Sequence, residues 1–307
     1  VFKGIENIDQ NKVYDAIKES ATGDHEPGVK ELMKYGYIPS DMMVESIASS
    51  MEYAISDWGI AMLAKKLGKT DDFKYFLDRS KAYKSYFDEE TGFMRGKFLD
   101  GSWRTPFDPV SAQHRINDYC EGNAWQYLWL TPQDPEGLID LLGGDKKFTT
   151  KLDELFSMSS DLEEGSSMDI TGMIGQYAHG NEPSHHTTYM YAYAGEQYKI
   201  AKNVRHILKE FYTAQPNGLI GNEDCGQMSA WYIFSSLGFY PVNPQNGAYV
   251  FGSPIIDEAI IELHNGKSLE IIAENNSEKN KFINEVYLNG KKHENSFITH
   301  KQIISGG

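Results

Sequence analysis

Residues 41–67 read Asp41-Met-Met-Val-Glu-Ser-Ile-Ala-Ser-Ser-Met-Glu-Tyr-Ala-Ile-Ser-Asp-Trp-Gly-Ile-Ala-Met-Leu-Ala-Lys-Lys-Leu67. Val44, Ile47, Ala48, Met51, Ile55, Trp58 and Met62 recur every three or four positions, the spacing of one helical face. Ser40 or Asp41 is placed to cap the start, and Gly68 sits just past the end. A second helix is predicted from the cap signal Thr70-Asp-Asp to about Phe87, with Phe73, Phe76, Leu77, Tyr83 and Phe87 on its apolar face. The chain therefore opens into helix pairs rather than alternating strands.

Working outward, Gly92 to Trp103 breaks the pattern. It predicts a short hairpin turning at Asp100-Gly101. Helices return at about 123–130, 135–143, 145–157, 186–197, 198–213 and 226–237, with Pro132 and Pro135 separating the first two. Helical hairpins joined by glycine-rich loops imply paired helices stacked around a ring, a mainly α fold. After Pro241 the pattern turns to strands: Ala259-Ile-Ile-Glu-Leu, Ser268-Leu-Glu-Ile-Ile-Ala and Phe282-Ile-Asn-Glu-Val-Tyr-Leu. Asn265-Gly266 and Asn289-Gly290 are strong hairpin turns, and Gln302-Ile303-Ile304 also reads as strand. The expected division is a helical part over 1–245 and a small β region over 246–307.

The 307 residues are 40% hydrophobic and 24% charged, an ordinary globular composition. A net charge of −15 disfavours nucleic acid and anionic membrane surfaces as partners. No apolar run approaches the roughly 18 residues of a membrane span. Two cysteines, Cys120 and Cys225, are too few for a disulfide framework or a Cys-based zinc site. The start at Val1 and the abrupt end at Gly306-Gly307 suggest a piece of a longer protein.

Three glycine-flanked loops at helix boundaries carry the chemistry. In Asp118-Tyr-Cys-Glu-Gly-Asn-Ala-Trp-Gln-Tyr127, Glu121 precedes a segment rich in Trp125, Tyr127 and Trp129. Aromatic walls desolvate a carboxyl and keep it protonated, as a general acid must be. In His179-Gly-Asn-Glu-Pro-Ser-His-His186, the adjacent histidines lack the helical spacing of a zinc motif. Asn181 and Glu182 offer oxygen donors that fit a hard cation such as calcium better. In Gly221-Asn-Glu-Asp-Cys-Gly-Gln-Met-Ser-Ala-Trp-Tyr232, Asp224 stands near a helix N-terminus that favours the ionised form a general base needs. Each loop is equally readable as plain helix capping. Together, one carboxyl favoured as acid and one favoured as anion form the pair used in glycoside hydrolysis.

These segments resemble glycoside hydrolase family 92, the calcium-dependent exo-α-mannosidases. The resemblance runs from Gly36-Tyr-Ile-Pro-Ser through Ser56-Asp-Trp-Gly-Ile-Ala61, Trp103, Pro106-Phe-Asp-Pro109 and Glu121-Gly-Asn-Ala-Trp-Gln-Tyr127. It continues in Gly180-Asn-Glu-Pro-Ser-His-His186 and from Asn222-Glu-Asp-Cys-Gly-Gln-Met-Ser-Ala-Trp-Tyr232 to Gly238-Phe-Tyr-Pro-Val242. It implies most of an (α/α)₆ barrel, truncated at its N-terminus, with the family's N-terminal β-sandwich lying outside this chain and completing the cleft.

The resemblance also implies an inverting mechanism, with Glu121 as general acid and Asp224 as general base. Asn222 stands where the family often has a second Asp; it cannot accept a proton as a base but can orient water or ligand through its amide. Calcium is implied as cofactor, with Asn181, Glu182 and Gln126 as candidate ligands. Asp57, Trp58, Trp103 and His185 are candidate sugar-shell residues. Mannose-containing glycans are the implied substrates, α-1,2 linkages foremost, for a secreted or periplasmic enzyme. The competing readings are another glycosidase or a lyase on the same ring, an inactive carbohydrate-binding relative, and a structural helical repeat.

Overall fold

The computed structural model describes every residue except Val1, Phe2, Ile5, Glu6 and His114. Ten α-helices are described: α1 (Gln10–Thr22), α2 (Val29–Tyr35), α3 (Ser46–Lys66), α4 (Thr70–Arg79), α5 (Ala124–Tyr127), α6 (Pro135–Leu142), α7 (Asp145–Ser157), α8 (Tyr198–Glu210), α9 (Gln227–Leu237) and α10 (His300–Ser305). The molecule is mainly helical, with small sheets towards the C-terminus.

The long helix starts later than its apolar stripe implies. Glu45 takes a left-handed φ of 55° and donates its N–H to the Asn117 carbonyl, so the chain turns there before α3 begins. The second helix breaks after Arg79 and resumes as a 3₁₀ turn, Ala82–Tyr86, while the helix expected at 186–197 is 3₁₀ over Thr187–Ala194. The sequence reading did not anticipate α1, whose one fully buried side chain is Tyr14. Its anchor is polar: the Tyr14 hydroxyl and the Lys18 ammonium both bond Asp72 on α4.

The main core gathers behind α5, where Trp129 meets Phe148 edge-on at 5.4 Å. Trp231 of α9 packs on His179 at 4.3 Å and stacks parallel to Tyr212. Burying such a ring is worth roughly 2–3 kcal/mol each. These two tryptophans therefore fix the helices that carry the first and third glycine loops.

Strand Ala248–Phe251 pairs antiparallel with both Phe239–Tyr240 and Phe297–Thr299. Two separate hairpins follow the expected turns. In the second, Asn289 and Gly290 are both left-handed, as a two-residue hairpin turn requires. One expectation is corrected: Gln302-Ile303-Ile304 lies in α10, not in a strand. Thr299 and Gln302 form a reciprocal capping box that starts the helix. Among the described residues, no helix is long and apolar enough to cross a membrane.

Candidate active site

Glu121 is mounted on a buried amide network. Asn123 caps α5 by accepting the Gln126 N–H, and the Gln126 side chain accepts the Asn123 N–H at 2.9 Å. Asn123 Nδ2 donates to Gln176 Oε1 at 2.8 Å, and Gln126 Nε2 donates to the Gln176 carbonyl at 3.1 Å. Gln126, a candidate metal ligand, thus has both ends of its amide engaged in the scaffold. Ahead of the cap, Glu121 takes a left-handed φ of 49°. The Cys120 thiol beside it is pushed up to about 11, chiefly by burial, then by the nearby Glu45 and Glu121 charges.

The aromatic wall expected around Glu121 is rearranged. Trp125 turns inward, 4.8 Å from Phe93 and 4.3 Å below the Lys151 ammonium. Trp129 also points into the core. Tyr127 is the aromatic neighbour: its hydroxyl donates to the Cys120 carbonyl at 2.6 Å. Burial holds that hydroxyl well above its ordinary range, and the Cys120, Glu52 and Glu121 charges add to the effect.

The second loop meets the first. Asn181 Nδ2 donates to the Glu121 carbonyl at 3.0 Å. Glu182 opens the 3₁₀ turn Glu182–Ser184, with the Asp224 carboxyl close enough to shift its own. Its carboxyl is raised above the usual range, first by burial, then by the neighbouring Asp224 and Glu121 carboxyls. The three histidines of the segment are scaffold. His185 Nε2–H donates to the His179 carbonyl at 2.9 Å, leaving Nδ1 to accept from Gln227 Nε2 at 3.1 Å. His186 Nε2–H donates to the Trp129 carbonyl at 2.7 Å. Burial lowers both imidazoles to about 4, so they are neutral.

The third loop lies on the second. Gly221 crosses Gly180 so closely that an added Cβ would stand 2.5 Å from the Gly180 carbonyl oxygen. Asp224, Cys225 and Gly226 are all left-handed, at φ 49°, 56° and 97°. The helix-capping role belongs to Glu223, whose carboxylate accepts the Gly226 and Ser229 N–H groups. That leaves Asp224 free to face Glu182. Asn222 is exposed and donates to Asp169 at 3.3 Å.

The three loops therefore converge on Glu121, Glu182 and Asp224. Among the described residues, none of the three carboxylates has an ion-pair partner. Glu52 on α3, near Tyr127, was missed from sequence. It is open to solvent, yet surrounding protein raises its carboxyl, as in a recess, and its charge reaches Tyr127.

The sugar-shell candidates divide. Trp58 and Trp103 are half-buried, with the Lys97 ammonium over the Trp103 ring. Asp57 is buried in a two-point ion pair with Arg79, at 2.6 and 2.5 Å. It lines a cavity of about 630 Å³ beside α1 and α3 whose lining includes none of the three carboxylates. The cleft itself offers carboxylate and amide oxygens while its imidazoles are occupied, a donor set that fits a hard cation and not zinc.

Residues 1–307 match the glycosyl hydrolase family 92 catalytic domain. The chain belongs to glycosyl hydrolase family 92. A family 92 α-mannosidase from Bacteroides thetaiotaomicron, solved in complex with mannoimidazole, superposes with a TM-score of 0.94 at 42% identity over 98% of this chain. A family 92 inverting mannosidase from Bacteroides thetaiotaomicron VPI-5482 gives 0.88 at 33% identity over 100% of this chain. An uncharacterized secreted glycosidase of Arthroderma benhamiae is 28% identical over 98% of this chain. This family 92 chain spans 42% of that fungal relative and 40% and 43% of the two solved chains.

Proposed function

We propose that the protein carrying this chain hydrolyses terminal α-linked mannose from glycans, α-1,2 linkages foremost, with inversion at the anomeric carbon. The observation that carries the reading is the approach of Glu121 and Asp224, 103 residues apart in sequence, to Glu182. In this reading Glu121 donates a proton to the glycosidic oxygen as the bond to C1 breaks. Asp224 takes a proton from the water that attacks C1 from the opposite face. The Asn222 amide orients that water or the sugar.

Asn181 and Glu182 would hold calcium, with Asp224 beside them. When bound, the ion supplies a hard positive charge for sugar hydroxyl oxygens and relieves the repulsion among the carboxylates. Among the described residues, no three Asp, Glu, His or Cys side chains stand in metal-holding geometry. The rest of the shell would come from water, amide or sugar oxygens. Trp58 and Trp103 supply half-buried faces for stacking. His185 acts through Gln227, while Asp57, paired with Arg79 beside the separate cavity, serves the scaffold. Residues 1–245 are read as part of an (α/α)₆ barrel and 246–307 as an attached β region. A β-sandwich from elsewhere in the protein would close the open side of the cleft. Export to the periplasm or outside fits the secreted fungal relative.

The test is mannose release from α-1,2-mannobiose by the full-length protein, with and without a calcium chelator. Glu121→Gln and Asp224→Asn should each lower turnover by about 10²–10⁴-fold, and chelation should abolish it. A second reading, carbohydrate binding without turnover, is favoured by Asn222 in place of a carboxylate. Mannoside binding by a folded, calcium-loaded protein that releases no mannose would establish that reading instead.

A further inference from the structure

Three consecutive left-handed residues are uncommon, and here only the last is glycine: Asp224, Cys225, Gly226 at φ 49°, 56° and 97°. Each non-glycine residue in that region costs about 1–2 kcal/mol, so the run persists only where other bonds over-determine it. Those bonds are present and converge on the residue just before the run. Glu223 Oε2 accepts the Gly226 N–H at 2.5 Å, and Oε1 accepts the Ser229 N–H at 3.3 Å. The Glu223 carbonyl accepts the Met228 N–H at 3.2 Å, and the Asp224 carbonyl accepts the Gln227 N–H at 3.1 Å.

The carboxylate of Glu223 thus bridges from one end of the left-handed run to the first turn of α9. No side chain of the Gly226 cap itself does this. The Ser229 bond, with the backbone N–H groups, holds Glu223 below the usual carboxylate range, so it is an anion at neutral pH. The same turn holds Gln227, whose amide reaches His185. A fixed α9, a closed bridge and a strained run together fix the backbone from which the Asp224 carboxyl projects.

We propose that Glu223 is a positioning residue for hydrolysis, a clamp that fixes where the Asp224 carboxylate points without touching substrate. The inference rests on the reading of Asp224 as the base. A cap that merely stabilises α9 would lower the melting temperature and leave turnover of the folded enzyme intact. A clamp acting through Asp224 lowers kcat, spares KM, and has no further effect once Asp224 is gone.

The experiment compares E223A, E223Q, D224N and the E223A/D224N pair in the full-length, calcium-loaded protein. kcat and KM are measured on an α-mannoside well below the unfolding transition. Expected for E223A is a loss of roughly 10–100-fold in kcat with KM within about twofold, the scale of a misplaced catalytic group. E223Q keeps one acceptor oxygen and should fall between E223A and the parent. The pair should be no slower than D224N alone. Parent-like kcat in E223A, or losses that multiply in the pair, overturns the clamp. Should E223A fail to fold, E223Q and its pair with D224N carry the same comparison. Normal turnover by D224N would instead sink the reading of Asp224, whatever the Glu223 variants do.

Discussion

The loops at 118–127 and 221–227 use one backbone device and opposite supports. Each places a carboxylate on a left-handed residue just before a helix: Glu121 ahead of α5 and Asp224 ahead of α9. Behind Glu121 the cap is a buried network of neutral amides, Asn123, Gln126 and Gln176. Behind Asp224 it is a single charged side chain, Glu223, in solvent. A buried neutral network is costly to break and indifferent to salt. An exposed anionic clamp is cheap to adjust and sensitive to its surroundings. The difference suits the roles proposed for them, an acid in a fixed, dry mount and a base that admits water.

Acid should load both supports from behind, with the largest effect. His186 backs the first through the Trp129 carbonyl, and His185 backs the second through Gln227. Both are neutral when folded, lowered by burial from 6.5 to about 4. Unfolded chains bind those protons first, so the stabilisation is complete above pH 6.5 and lost as pH falls towards 4. It amounts to on the order of 3 kcal/mol per histidine. Urea midpoints should hold level from pH 7.5 to about 6.5 and fall from there to 4.5; a profile flat throughout would mean the imidazoles are not buried neutral.

Asn123→Ala should come next. It removes the cap of α5 and leaves the buried Gln176 Oε1 without its donor, at about 1–3 kcal/mol. Thermal unfolding should shift down by several degrees, while the Asp224 loop, probed by hydrogen exchange at Gln227 and Ser229, stays as protected as before. Increased exchange at both sites would erase the distinction between the two supports. The smallest effect belongs to Cys225→Gly, which relieves one strained residue. A gain of at most about 1 kcal/mol is expected, and a loss would show that the thiol itself holds the turn.

Much of this was legible in sequence, for identifiable reasons. The three loops announce themselves by glycine beside carboxylate and amide at helix boundaries, and the Asn289-Gly290 turn by its dipeptide. The helices at 135–142 and 145–157 fell where proline, aspartate and glycine punctuate the chain. Others were hidden because the signal is tertiary. Helix α1 is the exception, since Val13, Tyr14, Ile17 and Ala21 recur at helical spacing behind the Asp9 cap and pack in one cluster. Which of two neighbouring carboxylates caps α9 depends on the left-handed run, which only the folded backbone reveals. Trp125 and Glu121 are close in sequence, yet the ring turns to Phe93 and Lys151. Glu52 lies on another helix from Tyr127, which its charge reaches. The α10 error was avoidable: Thr299 and Gln302 have capping-box spacing.

Helix α9 joins the cleft to the far end of the chain. Its first turn anchors the Asp224 loop, while Phe234 and Leu237 at its last turn pack with Phe239, Tyr249, Phe251 and Ile298 of the strands. The strand Phe239–Tyr240 follows directly and pairs with Ala248–Phe251. For anyone trimming the protein, position 245 is thus a poor place to cut. Losing the residues beyond it would strip one end of the beam whose other end carries the Asp224 loop.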